Sequence, residues 1–273
     1  MGGMNFRFVF RGIVLGVPFA LIALSVGLAV LFLTGRLAPP PDPTPSPPTI
    51  TVPAGALPAG PIGMREWVRY RGEGWAAMSC GFMFRLQDGR EIGAIPAHSH
   101  SLGEIGRPLE LVGFGLPGDG RIVAEFDTLH GLPGTPRTSL DLRVDYVLLQ
   151  TDAEIDPYFV LEPDPRGRPQ PGERVALFSG LGGGDGPDGR RMLRGTVQTV
   201  TDDGMWMLMD EWFNPTSMSG SPVMSEYTGK VVGMLLAGTL RGKQLLLGVN
   251  PIGNLVERAE QAATGRLLRD LVQ

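Results

Sequence analysis

The ten residues Asn214-Pro215-Thr216-Ser217-Met218-Ser219-Gly220-Ser221-Pro222-Val223 crowd small side chains around Ser219. Gly220 and Ser221 follow it directly, and Pro222 opens an apolar run. A nucleophilic serine needs such a setting, because its Oγ must protrude from a tight turn while backbone N–H groups face a developing oxyanion. By composition alone the same residues also make an ordinary serine-rich loop. The rest of the chain has to decide between the two.

Outward from this stretch, short apolar runs alternate with Gly, Pro and Asp signals. They are Trp75–Arg85, Glu91–Ala97, Leu109–Gly113, Arg121–Phe126, Arg143–Leu149, Arg174–Phe178, Arg191–Val200, Trp206–Met209, Pro222–Met224, Val231–Gly238 and Leu245–Val249. The spacing suits an antiparallel barrel or sandwich, and 40 glycines and 25 prolines agree with many strands joined by turns. Beyond them, Ile252, Leu255, Val256, Ala259, Ala263, Leu267, Leu268 and Leu271 recur at three- and four-residue spacing, which predicts one amphipathic helix. A net charge of −4 with scattered arginines gives no reason to expect a nucleic-acid partner. Cys80 is the single cysteine, so no internal disulfide supports the fold; within an apolar run it reads as a core residue.

Several of these segments match one known pattern in order. Ser219-Gly220-Ser221-Pro222-Val223, followed by Gly229-Lys230-Val231-Val232-Gly233-Met234, resembles the nucleophile region of chymotrypsin-fold serine peptidases. Asp210 with Asn214-Pro215 resembles the lead-in of the high-temperature-requirement proteases. Gly81-Phe82-Met83-Phe84 and Ile95-Pro96-Ala97-His98-Ser99 resemble the family's Gly-Phe strand and its Ala-His catalytic segment. Asp145-Tyr146-Val147-Leu148-Leu149 resembles the segment carrying the triad aspartate. Gly172-Glu173-Arg174-Val175-Ala176-Leu177 and Arg194-Gly195-Thr196-Val197 resemble strands of the second barrel. The order His, Asp, Ser is that of the fold, and the resemblance spans roughly residues 75 to 260, nearest the bacterial glutamyl endopeptidase and high-temperature-requirement branch.

The resemblance implies a mainly β chain of two six-stranded antiparallel β-barrels followed by a C-terminal α-helix. It implies Ser219 as nucleophile, His98 as general base and Asp145 as its partner, with the Ser217 and Ser219 amides forming the oxyanion hole. Phe213, Leu236, Ala237 and Gly238 become the substrate-binding residues, suiting a small or hydrophobic residue before the cut. Alternatives stand beside these roles. Asp141 rivals Asp145. His100 rivals His98, and His98-Ser99-His100 also suits a metal, although His130 in its Gly-Pro loop reads as a surface residue and no third ligand is at a suggestive spacing. Family members carry Gly two residues before the nucleophile, where this chain has Ser217. A Cβ there opposes the backbone geometry that aims the donor. A second reading follows, in which the chain keeps the fold as a binding or scaffolding module. The run Gly180-Leu181-Gly182-Gly183-Gly184-Asp185-Gly186 lacks the ending of a phosphate loop and reads as a hairpin loop. Neither cofactor nor metal is expected.

The N-terminal part has a different character. Gly12 to Gly35 holds no charged residue and is bracketed by Arg11 and Arg36. As a helix it would extend about 36 Å, enough for a hydrocarbon core of about 30 Å. Arg7 and Arg11 precede it and Arg36 follows, so the positive-inside rule puts the N-terminus in the cytoplasm and the remainder outside. Ala38 to Thr49, APPPDPTPSPPT, reads as a stiff polyproline spacer. The expected plan is a cytoplasmic N-terminus over 1–11, a transmembrane helix over 12–35, a linker over 36–59, barrels over 60–168 and 169–250, and a helix over 251–273. The expected partners are a protein or peptide substrate and the lipid bilayer.

Overall fold

The structure is a computed structural model that describes residues 57–58, 62–100, 108–118, 120–137, 140–182, 191–262 and 265–271. The expected transmembrane helix over 12–35 and nearly all of the linker over 36–59 lie outside the described residues, as does most of the glycine-rich loop after Gly182. Among the described residues no helix is long and apolar enough to cross a membrane.

The first half of the fold is β1 (Met64–Tyr70), β2 (Trp75–Arg85), β3 (Glu91–Ile95), β4 (Leu109–Gly115), β5 (Ile122–Phe126), β6 (Thr128–His130), β7 (Val147–Gln150) and β8 (Val160–Leu161). The second is β9 (Arg174–Ser179), β10 (Arg191–Thr201), β11 (Gly204–Met209), β12 (Pro222–Ser225), β13 (Val231–Arg241) and β14 (Gln244–Pro251), followed by α1 (Ile252–Gln261) and β15 (Gly265–Leu267). The later strands close into a six-stranded barrel in the order β10-β11-β14-β13-β12-β9. The earlier ones form a curled sheet in the order β15-β6-β7-β3-β2-β1-β4-β5, with β8 added parallel to β2.

Two expectations change here. Among the described residues one closed barrel is present rather than two. The first sheet's path breaks at Asp127, where β5 stays on β4 while β6 turns onto β7. The Asp127 carbonyl instead accepts a bond from Leu268 N–H at 2.7 Å, so a C-terminal segment takes the place of a continuous ladder. The C-terminal helix is also shorter than its apolar spacing predicts. It ends at Gln261, and Gly265–Leu267 pairs antiparallel with Thr128–His130. Leu268, expected on the helix face, is buried against the first sheet.

Three apolar clusters hold the halves. One lies within the curled sheet around Phe114, Phe126 and Leu149. Another fills the closed barrel around Val197, Met207 and Leu247. The third bridges them, joining Phe82 and Phe84 of β2 to Met234, Leu236 and Leu246 of the barrel and to Ile252 and Leu255 of α1. At about 25 cal/mol per Å² of apolar surface, this shared burial fixes the two sheets against each other and with them the loops at their junction.

Candidate active site

His98 sits in a 3-10 turn, Ala97–Ser99, directly after β3. Asp145 ends another, Leu142–Val144, directly before β7. Since β3 and β7 pair antiparallel, with Ile95 opposite Val147, one ladder brings the two turns together. The Asp145 carboxylate accepts twice from one residue. His98 N–H reaches Oδ1 at 2.9 Å, and His98 Nδ1 lies 2.7 Å from Oδ2. The backbone bond fixes the carboxylate, and the ring bond directs the Nδ1 proton to it, leaving Nε2 free to act as a base. The aspartate is fully buried and the imidazole about one-third exposed, 0% against 31%.

The rival aspartate has another task. Asp141 caps the 3-10 turn, accepting from Arg143 N–H at 3.0 Å and bonding its guanidinium. The turn is held from behind, where the Arg143 carbonyl accepts from Asn254 Nδ2 at 3.0 Å and Leu142 N–H donates to Asp203 O at 2.7 Å. The closed barrel and α1 thus position the aspartate of the first sheet. Arg137 adds a charge, its Nε lying 3.8 Å from Asp145 Oδ2. Burial pulls its pKa below the usual arginine value, and the Asp145 charge opposes that.

Ser219 lies between two consecutive turns. Met218 N–H donates to Pro215 O, and Ser221 N–H donates to Met218 O, both at 3.0 Å. Each has a positive φ at its third residue, as type II turns require. These residues are Ser217, at +63°, and Gly220, at +90°. Ser217 is the only non-glycine residue with positive φ among the described residues. Its side chain therefore does not prevent the left-handed geometry, at a strain of roughly 1–2 kcal/mol. The N–H groups of Ser217 and Ser219, two residues apart, have no hydrogen-bond partner among the described residues, whereas Met218, Gly220 and Ser221 all donate within the fold.

The turn docks on the first sheet through Cys80. Its N–H donates to Ser219 O at 2.8 Å, and its thiol reaches Ser217 O at 3.5 Å. Burial pushes the thiol pKa up to about 11, so the S–H stays a donor at neutral pH. Gly220 has no room for a side chain, since a Cβ would stand 1.7 Å from the Cys80 carbonyl and 3.0 Å from the Pro96 ring. That close approach puts the residue after Ser219 against the segment leading into His98. No hydrogen bond joins Ser219 Oγ to His98 among the described residues.

The other expected residues fall around this junction. Phe213 is buried in the barrel core, with the Arg191 guanidinium 5.5 Å from its ring centroid. Leu236, Ala237 and Gly238 continue β13 past its pairing with β12, which ends at Met234, while β14 pairs with it to Arg241. Among the described residues, nothing pairs with the other edge of β13 beyond Leu235, next to the Ser219 turn.

His100 is not at the site. Its ring is buried in the first sheet with Nε2 2.5 Å from Glu66 Oε1, although neither ring nitrogen is aligned for a hydrogen bond. Ser79 Oγ donates to the other Glu66 oxygen. His130 is no surface residue either. It is buried on β6, with Nδ1 2.7 Å from Gln150 Oε1 and Nε2 2.8 Å from Ala259 O. Among the described residues no three His, Cys, Asp or Glu side chains cluster as a metal site. Sequence reasoning missed Arg137, Asn254 and the docking role of Cys80. None of them left a signal, since even Asn254, buried in the structure, falls opposite the apolar face of the predicted helix.

No family model matches the sequence, and no curated protein matches it. Solved structures do. A thermostable serine protease, AL20, from an extremophilic microorganism superposes with a TM-score of 0.50 at 11% identity, over 78% of this chain and 100% of that one. The fold is that of the chymotrypsin-like proteases. Catalytically active tobacco etch virus protease complexed with product has a TM-score of 0.49 at 13% identity, covering 80% of this chain and 86% of that one. Kallikrein-related peptidase 10 has a TM-score of 0.47 at 15% identity, covering 72% of this chain and 92% of that one.

Proposed function

We propose that this chain is a serine endopeptidase that cuts extracytoplasmic proteins from a membrane anchor. The observation that carries it is the pairing of His98 with a fully buried Asp145, next to a turn that offers Ser219 between two unpartnered backbone amides.

The chemistry follows from these groups. Ser219 Oγ attacks the scissile carbonyl carbon while its proton passes to His98 Nε2. The carbonyl oxygen becomes an oxyanion between Ser217 N–H and Ser219 N–H. The imidazolium, stabilised by Asp145, then gives its proton to the departing amine as the C–N bond breaks. Water repeats the sequence on the acyl-serine, returning the proton through His98 and releasing the acid. On this reading the missing Ser219–His98 bond must form when substrate arrives, as catalytic bonds commonly tighten only then. The open edge of β13 suits an extended peptide, which adds as a strand through main-chain bonds.

Support for the anchor is the uncharged, apolar stretch of residues 12–35 and the cations before it. The glutamyl endopeptidase and high-temperature-requirement branch is supported by the segments around His98, Asp145 and Ser219 alone.

A fluorophosphonate probe, which esterifies an activated serine, tests the reading on the full-length chain. The expected result is labelling of the wild type that disappears in Ser219→Ala and in His98→Ala. A wild type that stays unlabelled would refute the peptidase and leave the binding-module reading.

A further inference from the structure

The side chain that precedes the scissile bond must lodge within a few ångströms of Ser219, because its own carbonyl is the one attacked. Two walls flank that position, the open part of β13 from Leu236 to Gly238 and the turn from Phe213 to Ser217. A pocket for a large side chain needs a gap between them.

That gap is closed chiefly by one ring, with Leu247 Cδ2 beside it at 3.5 Å from the Gly238 Cβ position. An atom placed at the Cβ position of Gly238 would stand 2.9 Å from Pro215 Cγ and 3.7 Å from Pro215 Cβ. The proline therefore rests against the bare backbone of β13, in the space a pocket would occupy. Nothing deeper relieves the closure. Phe213 and Leu236 are each only 2% exposed, the first in the barrel core and the second in the core shared by the two sheets. Pro215 is also held in place, because its carbonyl accepts from Met218 N–H and so ties the ring to the turn that aims the Ser217 and Ser219 amides. Moving the ring aside for a bulky side chain disturbs that turn as well.

We propose that Pro215 is a specificity-determining residue that restricts the position before the cut to glycine or alanine. This inference rests on the reading of Ser219 as the nucleophile, and it makes the substrates protein segments in which a small residue precedes the scissile bond.

Peptidyl phosphonate diphenyl esters carrying the side chain of Ala, Phe, Leu or Arg next to phosphorus test it on the full-length chain. The wild type should react with the Ala ester about tenfold or more faster than with the Phe ester, the scale on which pockets discriminate by size. In Pro215→Gly and Pro215→Ala the Phe-to-Ala rate ratio, taken within each protein, should rise severalfold. A wild type that reacts with the Phe, Leu or Arg ester as fast as with the Ala ester overturns the inference, whatever the variants do. So does a Phe-to-Ala ratio unchanged in folded Pro215 variants. A fluorophosphonate without a peptide side chain reports the nucleophile separately. If it labels wild type and the esters show no size order, only the role of Pro215 fails. If it labels nothing, the Ser219 reading fails and this inference with it.

Discussion

The two sheets bury acidic groups in opposite ways. In the segment leading into the closed barrel, Asp164 and Glu173 have fully buried side chains and share one guanidinium, with Arg166 pairing with both at 2.5 and 2.9 Å. Ser225 and Thr228 hydroxyls donate to the same carboxylates. In the curled sheet the buried carboxylates are Glu66 and Asp145, and each faces an imidazole instead. Glu66 Oε1, both His100 ring nitrogens and Arg137 Nε lack hydrogen bonds there. The first arrangement is saturated and can only hold. The second leaves several polar atoms unmet, and it lies on the sheet that presents His98. Saturated ion pairing and unmet polar atoms are thus found in different buried clusters.

Removing one charge from each cluster is the sharpest way to break that contrast. Asp145→Asn should reduce the rate of fluorophosphonate labelling by about 10⁴, since the amide no longer holds the productive imidazole tautomer, with the unfolding midpoint little changed. Arg166→Met should do the reverse. It leaves two buried carboxylates without their cation and should lower unfolding stability by about 3–5 kcal/mol in denaturant titration, while any surviving folded protein still labels.

Acid sharpens the same distinction. Burial alone would raise the Asp164 pKa, but its bonds from Arg166 and Thr228 outweigh that and hold it below the ordinary carboxylate value. A depressed folded pKa adds stability above the unfolded value of about 3.9, which is lost as the pH falls through the folded one. Stability measured by unfolding should therefore drop as the pH falls below about 4, and the drop should be shallower in Asp164→Asn.

The smallest effect concerns Ser217. Replacing it with glycine at φ +63° should raise stability by about 1 kcal/mol without slowing the labelling of Ser219, since the amide stays in place and only the strain is removed. A loss of labelling would mean that the Ser217 side chain, not just its backbone, serves the site.

Much of this was legible in the chain. Trp75–Arg85 is a strand to the residue, and most other runs are strands shifted by a few positions, because alternation and turn signals act locally. His98 and Asp145 were readable since each follows or precedes such a run. The strand β1 was hidden by its own charge, because Glu66 is buried in mid-strand and breaks the apolar alternation. The C-terminus was misread for the opposite reason. Its apolar spacing suits a helix through Leu271, but Leu268 is drawn onto the first sheet, and such tertiary contacts override propensity. The resemblance already put His98 ahead of His100, whereas the partners of the two imidazoles, Asp145 and Glu66, were out of reach because they depend on strand pairing.

The pairing of β15 with β6 has a consequence for biosynthesis. A ribosome delivers β1 to β7 first, then every strand of the closed barrel, and only afterwards the three residues that cover the edge at Thr128–His130. During translation that edge stays bare while the barrel assembles, so the half bearing the imidazole and the carboxylate is finished last. A released chain ending before Gly265 would carry every barrel strand beside a sheet still open to strand exchange.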